Sequence, residues 1–196
     1  MAEKETRLVH DFGGGIPSSG EILQLLRDLG MPENIIDHSV MVRDISMEIT
    51  GKILKNNPDV KIEEDLVEAG ALLHDLGRIK THGIEHGFVG GLIIRDLNID
   101  ERVARCAMVH VLGGLALDEI QRYFPPEIRN QVKEPLIPRS LEEKIICFAD
   151  KQVNGTKRVT LRKRFSRWFK KHGRTSFLIR ARVRVLQLEK EILALI

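Results

Sequence analysis

The stretch running from Leu66 through Val67, Ala69, Leu72 and Leu73 to His74, Asp75, Leu76 and Gly77 constrains this chain more than any other. Its apolar residues recur at helical spacing, so the segment reads as a helix buried over most of its surface. Gly77 stands where a helix C-terminus favours a left-handed residue, which puts His74 and Asp75 at the helix end. A histidine and a carboxylate delivered into a core need partners, because an unpaired buried charge neutralises or draws in an ion. The rest of the chain must supply those partners.

Helical punctuation continues on both sides. Ser18 and Glu21 make a capping box for a helix that Gly30 stops, and Pro32 opens a second helix. On that second helix His38, Val42, Ile45 and Ile49 share one face, so His38 points inward, and Asn56-Asn57-Pro58-Asp59 ends it. After Asp75 comes a glycine-punctuated link over residues 78–87, then a helix over residues 88–97 whose Gly90 and Gly91 imply close approach to a neighbour. Asp100 caps a helix that ends near His110. A proline-spaced loop follows through Pro125, Pro126, Pro135 and Pro138, and Ser140 with Glu143 caps an apolar helix around Asp150. No alternating run is long enough for a sheet, residues 159–161 being the one short exception, so the expected fold is all-α.

At 196 residues, 42% hydrophobic and 30% charged, the chain suits one globular domain or one domain with a helical extension. No apolar run approaches the roughly 18 residues of a membrane span, and the N-terminus lacks the apolar core of a secretory signal, so no membrane and a cytoplasmic setting are expected. Gly13-Gly14-Gly15 and Pro17 mark residues 1–17 as a flexible or partly ordered lead, with no Walker-type lysine behind the glycines. Cys106 and Cys147 sit in apolar helical patterns and read as buried free thiols.

His38, the His74-Asp75 pair and Asp150 fall on successive predicted helices. In this the chain resembles, over residues 31–155, the HD superfamily of metal-dependent phosphohydrolases. The resemblance implies an HD-domain helical bundle over residues 18–155, followed by a basic helical extension over residues 156–196, with His38, His74, Asp75 and Asp150 as ligands of a divalent metal. Imidazole with carboxylate suits Mn, Fe, Co, Ni or Zn better than Mg, which prefers oxygen shells. His86 and His110 stand at predicted helix ends, and similarity to HD-type diadenosine polyphosphate hydrolases and archaeal HD proteins implies that they bind a second metal with Asp75 shared. The alternative is that both contact substrate phosphate or simply favour a helix end. One or two ions are therefore expected.

The reaction so implied is hydrolysis of a phosphoester or pyrophosphate on a nucleotide, dinucleotide or nucleic-acid end, by a metal-activated water with Asp75 at its centre. Arg78, Lys80 and Lys151 lie close in sequence to these ligands and are the expected cations for phosphoryl charge, Arg78 foremost, against a plain surface reading. His82 precedes His86 by one helical turn but Gly83 weakens a helix there, so it reads as a substrate-pocket residue. Two other classes compete: an RNA-binding or regulatory protein with a structural metal site, and a di-iron oxygenase built on the same cage. The Gly-Tyr-Pro signature of the cyclic-dinucleotide branch is absent from the sequence.

Thirteen of the 31 lysines and arginines fall in residues 151–184, where no acidic residue occurs, so an acidic body carries a basic tail. Phe165, Trp168, Phe169 and Phe177 interleave with these charges. Arg162, Arg164, Arg167, Trp168 and Lys171 are accordingly candidates for binding RNA or another phosphate-rich substrate. The competing readings are that Phe165, Trp168 and Phe169 pack one helix face onto the body, or that the charges meet an acidic partner. Arg180, Arg182 and Arg184 alternate with apolar residues, a pattern ill-suited to a buried helix, and residues 185–196 finish the core or form a homodimer contact.

Overall fold

The computed structural model describes residues 10–196. Along this stretch run α1 (Ser19–Asp28), α2 (Glu33–Asn56), α3 (Glu64–Leu73), α4 (His86–Asp96), α5 (Glu101–Val109), α6 (Leu117–Tyr123), α7 (Pro126–Arg129) and α8 (Leu141–Lys151). A two-stranded hairpin, β1 (Val153–Asn154) with β2 (Lys157–Arg158), leads into α9 (Leu161–His172) and α10 (Ser176–Leu193). The fold is all-α apart from that hairpin, and among the described residues no helix is long and apolar enough to cross a membrane. Both capping boxes form, at Ser18 with Glu21 and at Ser140 with Glu143, while Asp100, Thr160 and Thr175 cap α5, α9 and α10.

From Leu66 to Leu73 every residue of α3 except Glu68 is buried, and the helix packs against α1, α2, α5 and α8. Gly70 lets it approach two neighbours at once: a Cβ there would lie 2.7 Å from Ile146 Cδ1 and 3.0 Å from Cys106 Sγ. Cys106 and Cys147 are buried free thiols. The Cys147 thiol, pushed up to about 11 chiefly by burial, stays protonated and donates to the His110 carbonyl at 3.2 Å, tying α8 to the end of α5.

Several local expectations need correcting. Gly77 is not left-handed; the close approach it permits is described with the site below. The short extended stretch is not residues 159–161, because Gly155 at φ +62° closes the hairpin two residues after Val153 and Leu161 already opens α9. The proline-spaced loop contains a short helix, α7, opened by Pro126, and another short helix, α6, precedes it. Residues 10–17, the described part of the N-terminal lead, are tied down: Phe12 N–H donates to Leu97 O at 3.1 Å and Asp100 N–H to Gly15 O at 3.0 Å. Residues 1–9 of that lead lie outside the described residues.

The basic extension shares the main core, with Phe165, Ala181, Val185 and Ile192 buried alongside α3 and with Trp168 and Phe169 packed against them. The alternating arginines sort onto a helix after all. Arg180 and Arg184, one turn apart, both reach Glu119 at 3.1 Å, while Arg182 is exposed. Ile179, Val183, Leu186 and Leu193 remain exposed on α10. Glu119 itself is buried and also accepts from Ala116 N–H at 2.9 Å. Glu119→Ala is therefore expected to strand Arg184 and free the α6 terminus, destabilising the fold by about 3 kcal/mol. A lowered urea midpoint with an unchanged slope would show this, and an unchanged midpoint would refute it.

Candidate metal centre

Each chemical side chain sits near the end of an element, where the chain turns and several helices converge. His38 comes from the second turn of α2, His74 and Asp75 follow α3, His86 is the first residue of α4, His110 follows α5, and Asp150 lies next to the last residue of α8. Glycines allow the convergence. A Cβ on Gly77 would stand 2.0 Å from His86 O and 2.6 Å from Gly90 N, and one on Gly87 would stand 2.7 Å from Ala107 O. The turn after Asp75, the start of α4 and the end of α5 thus meet backbone to backbone.

Asp75 lies between two groups. Its Oδ2 is 3.9 Å from His38 Nε2 and 3.7 Å from His74 Nε2, while its Oδ1 is 3.1 Å from His86 Nε2 and 3.4 Å from His110 Nε2. Asp150 Oδ1 joins the first group, at 3.2 Å from His38 Nε2 and 3.9 Å from His74 Nε2. All six residues occur in triads whose ligand atoms lie within 4.8 Å of one another.

The opposite nitrogen of every ring faces a main-chain carbonyl: His38 Nδ1 that of Gly155 at 2.9 Å, and the Nδ1 atoms of His74, His86 and His110 those of Ala71, Gly83 and Ala107, each at 2.7 Å. A carbonyl only accepts, so each Nδ1 carries a proton, and each ring in its neutral form directs the Nε2 lone pair inward. Lone pairs then face carboxylate oxygens and one another, His86 Nε2 lying 3.1 Å from His110 Nε2. Buried His74 Nε2 and Asp75 Oδ1 find no hydrogen-bond donor among the described residues. Acceptors crowded without donors call for a cation, and this nitrogen and oxygen set fits a divalent metal.

The electrostatics agree with that fit. Burial opposes charge on Asp75, yet His74, His110 and His86 hold its carboxyl well below the usual range; Lys151 and His38 do the same for the equally buried Asp150. Burial pushes His110 down to about 3 and lowers His74, whereas for His38 the pull of Asp150 and Asp75 outweighs burial and raises it. Ionised carboxylates beside the neutral imidazoles of His74 and His110 suit metal binding, and a bound cation would displace a proton from His38.

The cluster forms the foot of a cavity of about 770 Å³. Arg78 lines it and donates from Nε to Asp75 Oδ2 at 2.7 Å; His82, Arg164 and Trp168 also line it. Lys151, expected to meet phosphate, lines the cavity and is buried with its Nζ on Asp150 Oδ2, so it also orients that carboxylate. Lys80 is not brought to the site: the tight turn Leu76–Ile79 leaves it exposed and away from the cavity wall. Arg162, Arg167 and Lys171 project from the outer face of α9. Sequence reasoning missed Tyr123 and Leu112 on the cavity wall, and it named Phe177 only among the aromatics of the basic segment. Leu112 leaves no sequence signal of its left-handed φ of 55°, and Tyr123, its ring 4.4 Å from that of Phe177, comes from α6, remote from any motif.

With six inward-facing histidines and aspartates converging on a helical bundle, the class is that of the HD proteins, and the chain belongs to the HD domain family, whose model matches residues 35–154. That span contains all six cluster residues and ends before α9. The chain is 36% identical to an uncharacterized protein of Methanocaldococcus jannaschii over 87% of its own length and 94% of that protein's. It is also 30% and 33% identical, over 90% and 80% of its length, to proteins named tRNA (cytidine(56)-2'-O)-methyltransferase from Picrophilus torridus and Thermoplasma volcanium. Of those two relatives it spans 47% and 42%, less than half of each. No solved structure matches the chain.

Proposed function

We propose that this protein is a metal-dependent phosphohydrolase acting on a nucleotide or nucleic-acid-end phosphoester. The observation that carries the reading is the ring of inward-facing acceptors, split by Asp75 into two groups, at the foot of a cavity that also holds Arg78. His38, His74 and Asp150 would hold one divalent ion, His86 and His110 a second, and Asp75 would serve both through its two oxygens. When bound, such a pair supplies a deprotonated water and neutralises charge on the phosphoryl oxygens.

The chain's own residues do the positioning. Lys151 holds Asp150 Oδ2 and so presents Oδ1 to His38 and His74. Arg78 spends Nε on Asp75 and keeps its Nη nitrogens for a phosphoryl oxygen, with no other hydrogen bond to them among the described residues. The relatives named for a tRNA modification support a nucleotide-bearing substrate.

The test is phosphate release by the purified protein with Mn, Ni, Co, Fe, Zn or Mg added in turn, from mononucleotides, dinucleoside polyphosphates and 2′,3′-cyclic phosphates. Metal-dependent turnover of one class is expected. Folded protein that stays silent with every pairing would overturn the reading.

A further inference from the structure

Resting on that phosphohydrolase reading, we infer that the substrate is the end of a single-stranded nucleic acid, gripped by the two faces of α9. Neither face belongs to the matched HD region, which stops at residue 154.

The outer face is a run of free cations. Arg162, Lys163, Arg167, Lys170 and Lys171 are exposed, and among the described residues none has a carboxylate within 4.0 Å. Elsewhere arginines are commonly paired, as Arg95 is with Glu101, Arg105 with Glu143 and Arg158 with Glu48. Lys163 and Arg167, then Arg167 and Lys171, are like charges one turn apart, which weakens an isolated helix. A polyanion laid along the face relieves that repulsion and releases counterions. A membrane surface fits poorly, because it needs apolar side chains beside the charges. Here Leu161, Phe165, Trp168 and Phe169 all turn inward to the core or the cavity.

The inner face of the same helix reaches the cavity above the metal cluster. Arg164 sits 4.8 Å over the Trp168 ring, and both line the cavity together with Tyr123 and Phe177. Aromatic faces backed by a guanidinium are the chemistry that stacks a nucleobase. A terminal nucleotide thus has its phosphate at the metal cluster and its base at Trp168, and the following phosphates leave along the outside of α9. A free mononucleotide would use the cavity and leave the outer face without a ligand.

The experiment is fluorescence anisotropy of labelled single-stranded RNA and DNA 10-mers with the full-length protein in EDTA, competed with AMP and repeated across salt. The expected result is 10-mer binding at least about 100-fold tighter than AMP, weakening steeply with salt. Reversing Arg162, Arg167 and Lys171 to glutamate should cost at least 10-fold and flatten the salt slope by about 2, with thermal melting confirming the fold. The milder triple glutamine variant should lie between. Trp168→Ala should weaken 10-mer and AMP binding alike, by about 10-fold. A 10-mer bound no tighter than AMP, or bound equally by the reversed variant, overturns the inference while mononucleotide turnover still upholds the phosphohydrolase. Binding of anionic vesicles or an acidic peptide in place of the 10-mers overturns it too. Tight 10-mer binding with no ester cleaved under any metal instead overturns the phosphohydrolase reading, and with it the strand's role as substrate.

Discussion

Asp75→Asn is expected to lower turnover by at least about 10³-fold and to reduce the metal bound per chain. The carboxylate is the one group in contact distance of all four imidazoles, through Oδ2 for His38 and His74 and through Oδ1 for His86 and His110. Asparagine keeps the size but loses the charge, and it puts an amide donor or a weaker acceptor where two sets of nitrogen lone pairs converge. Metal content by elemental analysis and turnover of the best substrate read the two effects separately. Two ions per chain with undiminished turnover would refute the bridging role. Because the side chain is small and isosteric, circular dichroism should show an intact helical fold.

Gly77→Ala should have the largest effect on stability of any single methyl added to the protein. The new Cβ would fall 2.0 Å from the His86 carbonyl oxygen and 2.6 Å from the Gly90 nitrogen. Both are main-chain atoms, so relief demands that the turn after Asp75 and the start of α4 separate, which moves His86 away from Asp75. The expected cost is about 4 kcal/mol, at the upper end for overpacking, or a melting temperature lower by roughly 8–16 °C in a chain of this size. Whatever fraction stays folded should bind metal more weakly. A melting temperature within two or three degrees (about 1 kcal/mol) of wild type would show that the helices separate without cost.

The same glycine shows where sequence reasoning stops. A glycine after an apolar helix serves equally as a left-handed stop or as a point of contact, and only the position of α4 decides between them. The candidate ligands were readable because each is a metal-binding residue type on a predicted helix or at its end, in the order that the resemblance to the HD superfamily implies. Lys80 was misjudged because nearness in sequence says nothing of direction: the turn at Leu76–Ile79 leaves it exposed and off the cavity, whereas the last turn of α8 carries Lys151 inward, onto Asp150 and the cavity wall. Phe165, Trp168 and Phe169 were legible as a helix face, and they do pack inward. The meeting of Tyr123 with Phe177, itself legible only as an aromatic of the basic segment, was invisible because it depends on how α10 lies across α6, where Arg180 and Arg184 both pair with Glu119.

The four histidines take their tautomer from the carbonyls of Ala71, Gly83, Ala107 and Gly155. No side chain of the upper cavity wall participates in that choice. The chemistry of the centre is thereby insulated from the composition of its walls: Trp168, Tyr123, Phe177 and His82 can be exchanged without altering which nitrogen faces the ions. Reactivity and selectivity are inherited separately in such a design, and a library randomised over the upper cavity should yield altered preferences from an unaltered cage.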